Sequence, residues 1–370
     1  MNYRQGIKKY RDFYAHKKDA PLVMREFGYY SLERWISEGH IKEQEDIDKI
    51  FGFDEPGIFK VFGLGWCEAA FLPVFETKLI EDRGDHEVIQ DYAGRHVLFF
   101  KDRRSGFMPE YLDHPVKDLK TWEENIKWRL NPKTPERYAE NQDLGKIVPK
   151  EAGDGKIIVQ HCIGGYMYLR ALMGPEELLY KFYDEPGLIR ACMESWLALA
   201  DAVIAAHQKY FDIDELFLAE DICYNVSSLI SHDMIREFLF PYYKQLITNI
   251  KKRQKDKTKK LYIQIDTDGA APTVIDLYKE IGMDYMSPFE AASGCDVVSV
   301  RKKYPDLLIS GGFDKRIIAA GKDAIDKEIN RIMPFMKKHG GYIPTCDHGV
   351  PEEVSFEDYA HFRKRLSEFA

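Results

Sequence analysis

Short apolar runs alternate with longer segments of helical periodicity along this chain of 370 residues. Eight of the runs have the length and composition of buried strands, and most are followed by a helical pattern. The predicted strands are Pro21–Phe27, a stretch within Ala69–Leu79, Ile157–His161, Glu215–Glu220, Leu261–Asp266, Asp284–Pro288, Leu307–Gly311 and Gly341–Thr345. Repetition of strand and helix in this order favours a closed (β/α)8 barrel over an open parallel sheet.

The helical segments carry the end signals that such a fold requires. Ser231 and Ser355 stand where a helix N-cap is expected, and Asp358 follows Ser355 by three residues. The predicted helices are Glu176–Phe182, Gly187–Phe211, Ser231–Lys252, Ala271–Ile281, Val297–Lys303, Ala324–His339 and Phe356–Phe369. We therefore expect one domain over residues 1–370, with residues 1–20 as an N-terminal helical extension.

The region from about residue 75 to residue 113 has a different pattern. Its alternating segments predict antiparallel strands at Lys78–Asp82, His86–Tyr92 and His96–Asp102, joined by glycine turns. We interpret it as a β-hairpin excursion after the second barrel strand. Four aromatic residues are expected to form its own small core: Tyr92, Phe99, Phe100 and Phe107.

Composition and charge exclude several classes of protein. A hydrophobic content of 45% with 13% aromatic residues argues against disorder, and a net charge of −8 argues against nucleic-acid binding. The basic run Lys251–Lys260 is interpreted as a solvated helix end. An apolar stretch of membrane-spanning length and a signal peptide are both missing, and the six cysteines are scattered. We expect a cytoplasmic protein without a membrane partner.

Polar groups follow two of the predicted strands at the point where each strand ends. Asp266 and Asp268 follow the fifth strand, and Cys346 and His348 follow the eighth. Each pair alone also has a purely structural interpretation. The two aspartates can form a turn and cap a helix, and Cys346 and His348 can be buried side chains without a functional role. Because all strand ends of a barrel meet at one face, the four side chains can share a site, and zinc accepts all three ligand types.

Further polar side chains are expected at the same face. Glu220 and Asp221 form a carboxylate pair that can serve as general acid and base, or can bind arginine and helix ends. The other strand-end candidates are Gln160, His161, Glu290 and Asp314.

At these motifs the sequence resembles the uroporphyrinogen decarboxylase superfamily. The resemblance is carried by Leu172–Glu177, Glu220–Asp221, Gly311–Arg316 and Gly341–Pro351. The superfamily includes the decarboxylase of haem biosynthesis and zinc-dependent methyltransferases that exchange methyl groups with cobalamin proteins. It implies a (β/α)8 barrel and an enzyme.

The decarboxylase branch has two arginines in an N-terminal motif, whose counterpart here is Met24–Tyr30. Arg25 occupies the first arginine position and Tyr29 replaces the second. We expect Arg25 and Tyr29 of this motif, with the strand-end residues His161 and Asp314, to bind substrate. The expected catalytic groups are Glu220, Asp221 and His348. The missing arginine and a missing Phe-Ser-Asp motif separate the chain from true uroporphyrinogen decarboxylases.

The methyltransferase branch implies zinc bound by a His-x-Cys motif and a later cysteine. Asp266 and Asp268 stand at the His-x-Cys positions and Cys346 at the later one, with His348 beside it. The favoured hypothesis is therefore a zinc-dependent methyltransferase that moves a methyl group between a small donor or thiol and a separate corrinoid protein carrying cobalamin. The alternatives are a metal-free decarboxylase or lyase for a small anionic substrate, and a non-catalytic binding protein. The superfamily also makes a homodimer an expectation.

Overall fold

A twisted parallel sheet of seven strands forms the centre of the computed structural model, which describes residues 3–42, 46–101 and 109–370. Its strands lie side by side in the order in which they occur along the chain. They are β1 (Ile58–Val61), β6 (Ile157–Ile163), β7 (Glu215–Ala219), β8 (Tyr262–Asp266), β9 (Tyr285–Phe289), β10 (Leu308–Phe313) and β11 (Tyr342–Cys346). This is an α/β fold of the TIM-barrel kind.

Helices cover the outside of the sheet, as expected for parallel strands joined by crossovers. They are α1 (Tyr3–Tyr14), α2 (Leu32–Ser37), α3 (Asp46–Ile50), α4 (Leu119–Thr121), α5 (Asn141–Gly153), α6 (Gly165–Met173), α7 (Pro175–Asp184), α8 (Pro186–His207), α9 (His232–Phe238), α10 (Phe240–Arg253), α11 (Ile275–Lys279), α12 (Val297–Lys303), α13 (Lys315–Ala319), α14 (Lys322–His339) and α15 (Phe356–Ser367). Ser231 and Ser355 cap α9 and α15 as predicted. Within the described ranges, no helix combines the length and apolarity needed to cross a membrane.

The prediction of eight barrel strands is wrong at the start of the chain. Six predicted strands coincide with β6 to β11, but the described residues contain no strand at Pro21–Phe27 and no barrel strand within Ala69–Leu79. The first sheet strand, β1, was not predicted. It is four residues long, with only Val61 fully buried, so its periodicity is too short to identify from sequence.

An extended segment at residues 21–30 lies where an eighth strand would be, and side chains attach it to the two edges of the sheet. The Met24 backbone N–H donates to Asp54 Oδ2 at 2.7 Å, just before β1. At the other edge, the Cys346 N–H donates to Glu26 Oε1 at 3.0 Å. Tyr30 N–H donates to the Val350 carbonyl. These isolated bonds do not make a regular ladder, and the segment is not a strand.

A separate antiparallel sheet occupies the region between β1 and α4. Its strands are β2 (Lys78–Arg83), β3 (His86–Gln90), β4 (His96–Phe100) and β5 (Glu110–Asp113), paired in chain order. The excursion thus follows the first strand of the parallel sheet. Its expected aromatic core is wrong: Tyr92 and Phe100 are exposed and Phe99 is half-buried, whereas the small residues Val88 and Val97 are buried. Phe107 lies outside the described residues.

Helix α1 packs across the N-terminal ends of the parallel strands. Phe13 packs edge-to-face on Tyr285 of β9, and the Tyr14 hydroxyl donates to Glu215 Oε2 of β7 at 2.6 Å. The Tyr262 hydroxyl donates to the Tyr14 carbonyl at 2.9 Å. These contacts close one end of the interior, so the interior opens at the C-terminal ends of the strands, where a barrel has its active site.

Candidate active site

The inside of the sheet contains a cavity of about 260 Å³. Because side chains alternate along a strand, every second residue of β6, β7 and β8 faces it. Seventeen residues line the cavity: Tyr10, Phe13, Tyr14, Arg25, Phe27, Ile58, Lys60, Trp66, Val159, His161, Glu215, Phe217, Gln264, Asp266, Tyr285, Ser287 and Ile343. The cavity thus combines aromatic walls with a few charged side chains, which is typical of small-molecule sites.

Two cations reach into the cavity from the segments that the sequence identifies least well. Arg25 comes from the extended segment and Lys60 from β1. Burial lowers the pKa of Lys60, and the neighbouring Arg25 charge lowers it further, whereas Glu215 and Asp266 oppose this. The lining of the cavity therefore carries two neighbouring positive charges beside carboxyl groups.

Asp266 is one of two carboxyl groups that line the cavity, together with Glu215. It is the last residue of β8, and the Ser287 hydroxyl donates to its Oδ2 at 3.0 Å. Burial raises its pKa to about 8, against the Ser287 bond, and the charges of Asp268 and Asp221 add to the increase. Asp266 therefore favours its protonated form at neutral pH, and in that form it can donate a proton to a substrate.

Asp268 and His348 come together at the mouth of the cavity, as the sequence predicts. His348 Nε2 lies 3.7 Å from Asp268 Oδ2. Burial raises the pKa of Asp268 to about 7, with the charges of Asp221 and Glu290 contributing. Burial and the Lys315 charge lower the pKa of His348. Burial therefore favours the uncharged form of both groups.

The loops after β8, β9 and β10 are joined at the mouth by carboxylates. Glu290 Oε2 accepts from the Gly269 N–H at 2.8 Å, and Glu290 Oε1 lies 3.5 Å from Lys315 Nζ. Asp347 is fully buried and accepts from the Ala291 and Lys315 N–H groups at 3.0 and 3.2 Å. These bonds fix the loops around Asp268 and His348.

The adjacent carboxylates Glu220 and Asp221 have different surroundings. Asp221 is at the mouth, where Arg170 Nη2 lies 2.5 Å from its Oδ2. Glu220 is fully buried in the helix layer, where the hydroxyls of Tyr243 and Tyr278 donate to it at 2.6 to 2.8 Å. Burial raises the pKa of Glu220 to about 7, although these bonds oppose the change. The structure thus places Glu220 behind the sheet and Asp221 in the site.

Cys346 belongs to the outer core and not to the cavity. It is fully buried with the apolar residues that pack under the helices, whereas Ile343 of the same strand lines the cavity. Burial raises the pKa of its thiol well above the usual value, with the Glu26 charge contributing. Burial thus favours the protonated form of this thiol.

The predicted zinc ligands do not converge as a set of four. Asp266, Asp268 and His348 surround the cavity and its mouth, but Cys346 points away from them. Across residues 3–42, 46–101 and 109–370, no three His, Cys, Asp or Glu side chains stand together as a metal-binding group. The predicted set of four zinc ligands, with Cys346 among them, is therefore not assembled in these ranges.

The four residues predicted to bind substrate divide into two pairs. Arg25 and His161 line the cavity. Tyr29 instead contacts the outer core, with its hydroxyl 3.1 Å from that of Tyr359, and Asp314 caps α13 through the Arg316 N–H at 2.8 Å.

Sequence reasoning missed several site residues, of which four carry charge or belong to the loop after β1. Lys60 and Trp66 come from β1 and the loop after it, Arg170 from α6 and Lys315 from α13. Lys60 can be found only if the strand Ile58–Val61 is recognised, and Lys315 directly follows the predicted Asp314. Arg170 is the only charged residue of α6, and the other residues of this helix are buried. A single charge in an apolar helix is a signal in the sequence, because such a charge usually has a partner.

Comparison with known proteins agrees with this architecture. Residues 109–369 match the family described as uroporphyrinogen decarboxylase (URO-D). A uroporphyrinogen decarboxylase of Hydrogenobaculum sp. is 22% identical over 142 residues, which are 38% of this chain and 39% of that protein. The match thus spans about two fifths of the length of this curated relative. A methyltransferase from Methanosarcina mazei shares the fold, with a TM-score of 0.55, 12% identity and coverage of 98% of both chains. The chain therefore belongs to the uroporphyrinogen decarboxylase family.

Proposed function

We propose that the protein is an acid–base enzyme that decarboxylates a small anionic substrate inside the barrel. The observation that carries the proposal is the position of Asp266, a carboxyl group with its pKa raised to about 8, in one cavity with Arg25 and Lys60. A protonated acid beside two cations suits a substrate that enters with negative charge and accepts a proton during the reaction.

The chemistry follows from these positions. Arg25 and Lys60 bind the substrate carboxylate and give it orientation, because guanidinium and ammonium groups pair with carboxylates. The bond between that carboxylate and the substrate carbon breaks, CO2 leaves, and the electron pair stays on the carbon. The carbon then takes the proton of Asp266, and Asp266 regains a proton from water, whose hydroxide combines with the released CO2 to give bicarbonate. Asp268 and His348 at the mouth can relay that proton.

Release of CO2 from small carboxylic acids tests the proposal. Wild-type protein and Asp266→Asn are incubated with a panel of such acids, and CO2 is followed by a coupled bicarbonate assay. Loss of a general acid is expected to lower the rate by roughly 10²- to 10⁴-fold. Asp276→Asn is the matched control, because Asp276 is an exposed partner of Lys303 far from the cavity. Equal rates for wild-type protein and Asp266→Asn would exclude the proposed role.

Zinc-assisted methyl transfer with a separate corrinoid protein is the second candidate. The observation that favours it is the approach of the His348 imidazole to the Asp268 carboxylate at the mouth, 3.7 Å apart. Cys346 does not complete this pair. Elemental analysis of protein purified without chelator separates the two candidates. About one equivalent of zinc in wild-type protein, lost in His348→Ala, would support methyl transfer. The corrinoid partner and a homodimer stay predictions.

A further inference from the structure

Three aromatic side chains stack against one another on one side of the cavity. His161 and Phe217 stack with centroids 4.4 Å apart and 24° between their planes. Trp66 lies over the same pair, 5.2 Å and 10° from Phe217 and 5.4 Å and 27° from His161. We call Trp66, His161 and Phe217 the aromatic wall. Near-parallel rings offer a planar surface, on which a planar group packs better than a puckered one.

His161 is the polar member of the wall, and its hydrogen-bonding capacity is unused. The residue is 2% exposed, and neither Nδ1 nor Nε2 has a hydrogen-bond partner. Burial, with the Lys60 charge, lowers its pKa to about 3, so the ring is neutral and offers one donor and one acceptor. Buried polar groups without partners are rare and are destabilising, so a ligand that pairs with this ring gains free energy.

The charged part of the cavity adjoins the wall. The Lys60 charge acts on His161, and Lys60 itself is close enough to Arg25 for the two charges to interact. A planar group on the wall therefore has cations at its edge. The volume of about 260 Å³ lies below the ~300–1,000 Å³ of pockets for drug-sized ligands, which limits the occupant to about one ring and excludes a tetrapyrrole.

From these observations we infer that the cavity binds a single-ring aromatic carboxylic acid that carries a ring hydroxyl. The ring stacks on the aromatic wall, the carboxylate pairs with Lys60 and Arg25, and the hydroxyl exchanges hydrogen bonds with His161. The inference rests on the proposed function for its choice of site, and it names the substrate class of that site.

Titration calorimetry with four probe compounds tests each part of the inference. The probes are 4-hydroxybenzoate, benzoate, cyclohexanecarboxylate and 4-hydroxybenzyl alcohol. We expect 4-hydroxybenzoate to bind best and benzoate to bind several-fold more weakly because it lacks the hydroxyl. Cyclohexanecarboxylate lacks the planar ring and the alcohol lacks the charge, so both should bind at least tenfold more weakly than 4-hydroxybenzoate.

Two variants separate a binding role from a structural one. His161→Phe keeps a stacked ring and removes both nitrogens, so 4-hydroxybenzoate should bind no better than benzoate, while benzoate itself binds as before. Lys60→Met should weaken both acids and leave the alcohol unchanged. Lys146→Met is the matched control, because Lys146 is an exposed partner of Asp143. Circular dichroism establishes that each variant is folded.

Several results would overturn the inference. These are equal binding of cyclohexanecarboxylate and benzoate, an undiminished preference for 4-hydroxybenzoate in His161→Phe, or no binding of any aromatic acid. The proposed function fails separately. If aliphatic acids alone are bound and decarboxylated through Asp266, the function stands and the inference falls. If aromatic acids bind through His161 and Lys60 but Asp266→Asn does not alter CO2 release, the inference stands and the function falls.

Discussion

Replacement of Glu220 by glutamine is expected to stabilise the protein at alkaline pH. Glu220 is fully buried, and its carboxylate accepts hydrogen bonds from Tyr243 and Tyr278. Burial raises its pKa from 4.5 to about 7. Between pH 4.5 and about pH 7, Glu220 is therefore protonated in the folded protein and ionised in the unfolded chain. The contribution to stability is complete below pH 4.5 and is lost as the pH rises through about 7.

The size of the effect follows from the two pKa values. At 1.36 kcal/mol for each pKa unit, the difference between the two pKa values of Glu220 contributes about 3 kcal/mol to the free energy of unfolding. About 2.5 kcal/mol of this stability is lost between pH 5 and pH 8. Glutamine has the shape of the protonated acid and does not titrate. It still accepts one tyrosine hydrogen bond, and the other tyrosine loses its partner, which costs about 1 kcal/mol at every pH.

Urea unfolding at pH 5 and pH 8 measures the effect. The free energy of unfolding of Glu220→Gln minus that of wild-type protein should rise by about 2.5 kcal/mol between the two pH values. Other carboxyl groups, including Asp266, titrate in both proteins and cancel in this difference. Glu177→Gln, at an exposed site, should give a difference close to zero at both pH values. A pH-independent difference for Glu220→Gln would refute the reasoning.

Four further predictions concern stability and activity. Glu26→Ala leaves the buried Arg363 guanidinium without its carboxylate, 3.8 Å away in the folded protein, and should lower the free energy of unfolding in urea by about 3–5 kcal/mol. Ser355→Ala removes the cap of α15 and should cost about 1 kcal/mol in the same assay. Gly311→Ala meets a φ of +100° and a backbone nitrogen 2.8 Å from the new Cβ, so thermal unfolding should show a loss of more than ~1 kcal/mol. CO2 release should fall as the pH rises above about 8, because Asp266 loses its proton, and a flat pH–rate profile would contradict this role.

The strand and helix order from residue 157 onward was readable from the sequence because it depends on local periodicity. β6 to β11 each consist of a short buried run followed by a helix, and the caps at Ser231 and Ser355 are specified by side-chain chemistry. The convergence of Asp268 and His348 was also predictable. In a parallel sheet of this topology the strands point the same way, so the residues that follow them meet at one face.

The direction of Cys346 was decided by tertiary structure. Every residue of β11 is buried, so hydrophobicity does not tell which residues face the cavity and which face the helices. Because side chains alternate between the two faces of a strand, the direction of one residue fixes the direction of all the others. Ile343 lines the cavity, so Cys346, three residues later, lies on the opposite face. The sequence thus predicts the position of Cys346 along the strand but not the face of the sheet on which its side chain lies.

Local sequence therefore determined the α/β repeat, the ends of its helices and the carboxyl-rich mouth. Tertiary structure alone decided how the sheet is closed and what the cavity contains. The segment at residues 21–30 is held at one edge of the sheet by Asp54, which accepts from the Met24 N–H, and at the other by its own Glu26, which accepts from the Cys346 N–H. It brings Arg25 beside Lys60. Such contacts join residues far apart in sequence, so they leave no periodic pattern, and the burial that raises the pKa of Asp266 exists only once they have formed.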